Sequence, residues 1–183
     1  MTSDRSWATL PNAITLLRLL LVVPIALLLI EGARPVLTVV LLVIFGASDW
    51  VDGTLARLLN QVSRFGKLFD PLADRIGVVA IVLAMIAAGL LPAWTAIAIP
   101  GVDLVLLVVY VLKRPERIPD ASLLGKARTA VMMAGLAAVG FGILPGLEWL
   151  GEVGRWITAV GVVMHVVVGA DYFRQMLADR RRG

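Results

Sequence analysis

Four aspartates at helical spacing dominate the chemistry that this sequence could perform. Asp49 and Asp52 lie three residues apart, and Asp70 and Asp74 lie four apart after a short polar break. Residues at i and i+3 or i+4 share one face of an α-helix, so each pair presents two carboxylates to the same side. Two antiparallel helices joined by a turn at residues 60–65 would therefore direct all four carboxylates toward one another.

Carboxylates held this close repel one another in a medium of low dielectric constant unless protons or cations neutralise them. The cluster contains neither cysteine nor histidine, and hard oxygen ligands favour magnesium, manganese or calcium. Magnesium typically joins protein carboxylates to substrate phosphates. The sequence therefore predicts a divalent-metal site, with Mg2+ as the expected ion and Mn2+ as the alternative.

The residues around the aspartates suit a phosphate-bearing ligand. Arg57, Arg64 and Lys67 can meet phosphate oxygens, while Gly53 and Gly66 remove side chains from the face that a bulky ligand would approach. Two other interpretations stay open on these residues alone. The aspartates and arginines could simply neutralise one another, or the carboxylates could form the cation site of an ion-coupled transporter.

The rest of the chain is typical of an integral membrane protein. Of its 183 residues 60% are hydrophobic and the mean hydropathy is +0.92, against the roughly 45–50% apolar residues of soluble domains. Six apolar segments each approach the ~20 residues that a spanning helix needs. They predict an all-α protein with six transmembrane helices in one domain, residues 1–183. The segments are Ala13–Ile30, Pro35–Leu59, Lys67–Leu91, Ala93–Leu112, Leu123–Leu144 and Arg155–Phe173.

The basic residues predict the orientation of these helices. Of the 17 lysines and arginines, all except Arg34 and Arg155 fall on the side of the two termini, which should therefore be cytoplasmic. The net charge of +4 then reflects topology and attraction to anionic lipid, so no nucleic-acid partner is expected. The stretch before the first segment, with Trp7 as an aromatic anchor, is either a short interfacial helix or an unstructured lead.

The aspartate region resembles the CDP-alcohol phosphatidyltransferase family. The family signature, D-x2-D-G-x2-A-R-x8-G-x3-D-x3-D, is matched here at every fixed position. Those eight positions are Asp49, Asp52, Gly53, Ala56, Arg57, Gly66, Asp70 and Asp74. Members of the family are six-helix membrane enzymes of about this size, so the resemblance extends over most of the chain.

The resemblance implies transfer of a phosphatidyl group from CDP-diacylglycerol to an alcohol, with release of CMP, at the cytoplasmic face of the cell membrane. It gives Asp49, Asp52 and Asp70 the role of metal ligands, and it makes Asp74 a residue of the same metal site and the general base. It also implies a homodimer. The donor would be bound by Gly53, Ala56, Arg57 and Gly66.

The acceptor alcohol is less well determined by the resemblance. The segments "LPNAITLLRLLLVVP" and "LLGKARTAVMM" are similar to the branch that makes phosphatidylglycerophosphate and to the related cardiolipin synthases. Glycerol 3-phosphate is therefore the expected acceptor, with phosphatidylglycerol as the alternative. Glycerophosphate-using relatives carry an Arg-Glu pair where this chain has Val102 and Asp103, and the missing arginine weakens the case for a doubly charged acceptor. Some cardiolipin-forming relatives have Arg-Asp there, so Asp103 leans toward the alternative, whereas Val102 departs from both patterns. The candidates for binding the acceptor are Lys126, Arg128, Arg114 and Arg117, with the alternative that Lys126 and Arg128 only mark the cytoplasmic end of the fifth helix.

Several polar residues outside the signature have two interpretations. Asn12, Thr15 and Arg18 share a spacing of three residues, and they could line the donor site or cap and anchor the first helix. His165, in the middle of a segment, is expected to have a hydrogen-bonded packing role, with catalysis as the alternative. A set of glycines is expected to allow close helix packing. These are Gly135, Gly140, Gly142 and Gly161.

Overall fold

The protein is an all-α molecule over the part of the chain that its computed structural model describes. Backbone is described for residues 10–58, 64–113 and 123–178, and side chains for residues 12–48, 73–112, 124–125 and 127–177. No strand occurs in these ranges, which confirms the all-α part of the predicted fold class. The stretch proposed as an interfacial helix, residues 2–12, lies largely outside them. The helices are α1 (Leu10–Glu31), α2 (Pro35–Leu58), α3 (Arg64–Ala87), α4 (Trp94–Lys113), α5 (Leu123–Phe141) and α6 (Glu148–Ala178).

Each of the six predicted apolar segments corresponds to one helix, although most of the boundaries differ by one to seven residues. α3 ends at Ala87 rather than at Leu91, because the chain turns at Gly89 with a φ of 73° that favours glycine. α6 begins at Glu148 rather than at Arg155. There the Gly146 N–H donates to the Glu148 carboxylate at 3.0 Å, and an acid in the first turn complements the helix dipole.

Among the residues that the structure describes, three helices are long and apolar enough to cross a membrane: Asn12–Glu31, Trp94–Leu112 and Glu148–Leu177. Shorter apolar stretches occupy Pro35–Ser48 in α2 and Ala127–Phe141 in α5. The presence of apolar spans confirms the membrane character in outline, and six crossings remain a prediction.

The chain divides into two compact units, residues 1–89 with α1 to α3 and residues 90–183 with α4 to α6. In the first unit α1 packs against both α2 and α3. Its inward side is formed by Val22, Ile25 and Leu29, whereas Leu20 and Leu27 are exposed. An apolar exterior of this extent is typical of a surface in contact with lipid rather than water.

In the second unit α6 packs against α4 and, very closely, against α5. A methyl group added at Gly154 of α6 would come within 2.5 Å of the Val139 backbone nitrogen, and one at Gly135 of α5 within 2.6 Å of the Thr158 nitrogen. Gly142 lies equally close to Gly151. The expected role of glycines in close packing is therefore confirmed for this helix pair.

Replacing Gly154 by alanine should destabilise the protein, because the new methyl group would overlap the α5 backbone. Overpacking of this kind costs about 1–3 kcal/mol, which should lower the midpoint of thermal unfolding of the purified protein in detergent. Gly101→Ala on α4 is the matched control, since no atom lies within 4 Å of the added group. That control should be neutral or gain up to about 1 kcal/mol from helix propensity. Equal shifts for the two variants would contradict the close packing of α5 and α6.

Candidate functional site

The signature occupies the end of α2 and the beginning of α3. The backbone places residues 49–58 in the last turns of α2 and residues 64–74 in the first turns of α3, as the sequence predicts. The side chains of residues 49–72 lie outside the described part of the chain. Seven of the eight signature positions are among them: Asp49, Asp52, Gly53, Ala56, Arg57, Gly66 and Asp70.

Asp74 is the signature residue whose side chain is described, and it forms an ion pair with Arg18 of α1. The Arg18 side chain is 2% exposed and that of Asp74 is 37% exposed. A buried guanidinium is costly unless a carboxylate or other acceptor compensates it. The ion pair therefore holds the Asp74 carboxylate on the side of α3 that faces α1.

Arg18 lies on the buried face of α1, which is polar in its first half and apolar in its second half. Asn12, Thr15 and Arg18 are all buried although they are polar, and the same face continues with buried Val22 and Ile25 one and two turns later. A helix of uniform apolar packing would not bury three polar side chains in succession. The polar half of this face thus belongs to a polar site, and Arg18 connects that site to the last aspartate of the signature.

Gly77, one turn after Asp74, lets α3 approach α2 and α1. A methyl group at Gly77 would lie 2.7 Å from the Phe45 ring of α2 and 3.6 Å from Val22 of α1. Neighbouring Ala73 is 1% exposed. Ala73 and Gly77 therefore allow the close packing of α3 that places the Asp74 carboxylate next to α1.

A second group of polar contacts lies in the unit formed by α4 to α6. Arg128 of α5 contacts His165 of α6, with 2.7 Å between the Arg128 Nη1 and His165 Nδ1 atoms. The other ring nitrogen, Nε2, lies 3.1 Å from the carbonyl oxygen of Ile99 and 3.6 Å from Oδ1 of Asp103, both on α4. The expected hydrogen-bonded role of His165 is confirmed. Its link to Arg128, a predicted acceptor residue, is a contact that the sequence alone did not indicate.

The remaining predicted acceptor residues are not described in side-chain detail. Lys126 lies on α5 with its side chain outside the described residues, and Arg114 and Arg117 lie outside them altogether. Among the side chains that are described, no three His, Asp or Glu residues come together as a metal site would require. Because three of the four aspartates are not in that set, the metal site stays a prediction.

Known proteins resemble this chain over most of its length. A sequence model of CDP-alcohol phosphatidyltransferase matches residues 8–169. The Bacillus subtilis protein named CDP-diacylglycerol–glycerol-3-phosphate 3-phosphatidyltransferase is 32% identical, over 90% of this chain and 93% of its own length. The Aquifex aeolicus protein of the same name is 28% identical, over 88% of this chain and 92% of its own.

A relative with a different named product is also similar. The Streptomyces coelicolor protein named cardiolipin synthase (CMP-forming) is 34% identical, over 68% of this chain. The chain covers less than two thirds of that relative, 61%, and 64% of a Mycobacterium tuberculosis relative that is 32% identical. The family match nevertheless includes the whole signature and all or part of every helix. On this evidence, the chain belongs to the CDP-alcohol phosphatidyltransferase family.

Proposed function

We propose that the protein transfers the phosphatidyl group of CDP-diacylglycerol to glycerol 3-phosphate, forming phosphatidylglycerophosphate and releasing CMP. The observation that carries the proposal is the complete signature at the end of α2 and the beginning of α3, with its last aspartate paired to Arg18. The Bacillus subtilis relative supports the choice of acceptor, because it is matched over 93% of its length.

The family generally depends on a divalent metal ion, and the donor set of this chain suits one. Asp49, Asp52 and Asp70, together with Asp74, would supply carboxylate oxygens, which fit Mg2+ and also Mn2+. When bound, the ion would neutralise the diphosphate of the donor and stabilise CMP as the leaving group. Nearby residues would bind the rest of the donor: Gly53, Ala56, Arg57 and Gly66.

Asp74 is proposed as the general base. Its carboxylate would take the proton of the acceptor hydroxyl as that oxygen bonds to the phosphatidyl phosphorus and the bond from phosphorus to the CMP oxygen breaks. Arg18 contributes by holding the carboxylate in one direction from a buried position on α1. The signature thus supplies the base, and a helix outside the signature orients it.

Basic residues of the second unit are proposed to bind the acceptor. Arg128 is partly buried on α5, and its guanidinium is held by His165. An arginine fixed in this way can bind phosphate oxygens in a defined orientation. The other proposed acceptor residues are Lys126, Arg114 and Arg117.

A second candidate function is cardiolipin synthesis with phosphatidylglycerol as the acceptor. Val102 and Asp103 replace the Arg-Glu pair of glycerophosphate-using relatives, which removes a charge that a phosphomonoester would need. The Streptomyces coelicolor relative named cardiolipin synthase agrees with this alternative.

The protein is further proposed to be one domain that crosses the cell membrane six times, with both termini and the site at the cytoplasmic face. The distribution of lysine and arginine supports this orientation, and a cytoplasmic site would reach a soluble acceptor while the donor acyl chains remain in the bilayer. A homodimer is proposed because the family commonly forms one.

CMP release by the purified protein tests the proposed function. With CDP-diacylglycerol and Mg2+, glycerol 3-phosphate should give CMP and phosphatidylglycerophosphate, whereas CMP release only with phosphatidylglycerol would establish the alternative. Chelation of the metal should stop the reaction, and Mn2+ should restore at least part of it. A folded sample that releases no CMP but carries a cation into liposomes would instead be a transporter.

Asp74→Asn should lower kcat by about 10²–10⁴-fold, the usual contribution of a general base. Binding of CDP-diacylglycerol with metal should persist, because three other carboxylates remain. Asp171→Asn is the matched control, since Asp171 is exposed on α6 and bonds to Gln175. Near-normal turnover by the Asp74 variant would remove that residue as the base.

Arg18→Met should lower kcat by roughly tenfold or more, because a carboxylate displaced by about 1 Å loses much of its effectiveness. Thermal unfolding should also occur at a lower temperature, since one partner of a part-buried ion pair is left alone. The double variant Arg18→Met, Asp74→Asn should lose less stability than the sum of the losses in the two single variants. Additive effects on stability would show that the two residues are not coupled.

A further inference from the structure

The polar contacts in the second unit form one chain of hydrogen bonds across three helices. His165 of α6, which is 3% exposed, stands between Arg128 of α5 and the backbone and side-chain oxygens of Ile99 and Asp103 of α4. Ile99 and Asp103 lie one turn apart, so both face the same ring nitrogen. None of the residues that form these hydrogen bonds belongs to the signature on α2 and α3.

The chemistry of the three partners determines which group donates and which accepts in each hydrogen bond of His165. An arginine guanidinium can only donate, so His165 Nδ1, at 2.7 Å from Arg128 Nη1, must be the acceptor. A neutral imidazole then carries its hydrogen on Nε2, where it donates to the Ile99 carbonyl oxygen at 3.1 Å. The Asp103 carboxylate, 3.6 Å from Nε2, favours the same tautomer electrostatically. His165 is therefore a neutral acceptor for Arg128.

This arrangement leaves one edge of the Arg128 guanidinium facing away from His165. Nη1 contacts the histidine, whereas Nε and Nη2 form the edge that can hold two oxygens of a phosphate in a fork. Nε is buried and has no hydrogen-bond partner within the described part of the chain. A buried N–H without an acceptor is unfavourable in a folded protein, so this edge is suited to an anionic ligand.

Residue 102 of α4, next to Asp103, does not supply a positive charge for a phosphate, because it is a valine. Val102 packs against Gly169, which lies one turn after His165 on α6, and a methyl group at Gly169 would overlap the valine side chain. The interface of α4 and α6 is thus apolar at residue 102 and polar at residue 103. The cation in this cluster comes from α5.

We propose that His165 and Asp103 are positioning residues that direct the Nε and Nη2 edge of Arg128 toward the phosphate of the acceptor alcohol. The proposal rests on the proposed function, because it deepens the role of Arg128 in that reaction. Both candidate acceptors carry a phosphate next to glycerol, free in glycerol 3-phosphate and as a diester in phosphatidylglycerol. The contact with phosphate oxygens is common to both.

Two substitutions of His165 separate its two hydrogen bonds. Asparagine can place an amide oxygen near the position of Nδ1 and keep an acceptor for Arg128, whereas glutamine reaches the position of Nε2 and keeps only the donor toward Ile99. His165→Gln should raise KM for the acceptor about tenfold, the loss of one hydrogen bond to a charged group. His165→Asn should stay within about threefold of the wild type. KM for CDP-diacylglycerol should not change in either variant.

Nitrogen-15 NMR gives a readout that does not depend on turnover. His165 is the only histidine of the chain, so protein labelled at histidine gives one pair of ring-nitrogen signals. These should be those of a neutral ring with hydrogen on Nε2. Titration with glycerol 3-phosphate, and separately with phosphatidylglycerol in nanodiscs, should shift the Nδ1 signal for the acceptor that binds. Arg128→Met should abolish that shift.

The outcomes distinguish this proposal from the proposed function. If the wild type binds a phosphate acceptor and His165→Gln weakens that binding, but no CMP is released, the positioning role stands and the proposed function fails. Unchanged acceptor affinity in folded His165→Gln would overturn the positioning role, as would equal losses of donor and acceptor affinity. An unchanged NMR spectrum with both acceptors, alongside normal CMP release, would overturn it while the proposed function stands.

Discussion

Charged side chains in this protein must be compensated where water is scarce, and the arrangement of the polar residues follows from that constraint. Arg18 is almost completely buried on a helix whose other faces are apolar, and its ion pair with Asp74 makes that burial tolerable. The same contact fixes the direction of the last carboxylate of the signature. One interaction therefore serves both the packing of α1 against α3 and the orientation of the proposed base.

The two units use the same principle with different chemistry. In each, a buried polar side chain on a helix outside the signature holds a charged residue assigned to the reaction: Arg18 holds Asp74, and His165 holds Arg128. In the first case the partner is a charge, and in the second it is a neutral ring whose tautomer is fixed by α4. A neutral partner leaves the full positive charge of Arg128 for a ligand, whereas a carboxylate in that place would neutralise it.

Much of the architecture could be predicted from the sequence, because apolar runs of about 20 residues between glycine and proline turns leave few alternatives to helices. The start of α6 was missed, because the proline and glycines of residues 144–154 indicate a turn, whereas the Glu148 carboxylate stabilises the first turn of a helix that begins there. The signature indicated Asp74 and the chemistry of the family. It could not indicate Arg18, which is 56 residues away, and the partners of His165 are 37 and 66 residues away. A general signal was nevertheless present, since a polar side chain inside an apolar span requires a partner.

The proposed acceptors differ in the number of basic side chains that their phosphate would need. Arg128 alone can form a fork with a phosphodiester or a phosphomonoester, because both offer two oxygens at the required spacing. A phosphomonoester carries the additional charge, and holding it requires a further base. Val102 does not provide one, since it packs against Gly169. The proposed sources of the additional charge, if glycerol 3-phosphate is bound, are Lys126, Arg114 and Arg117. Removing these three bases while Arg128 is kept should therefore weaken the binding of a phosphomonoester more than that of a diester.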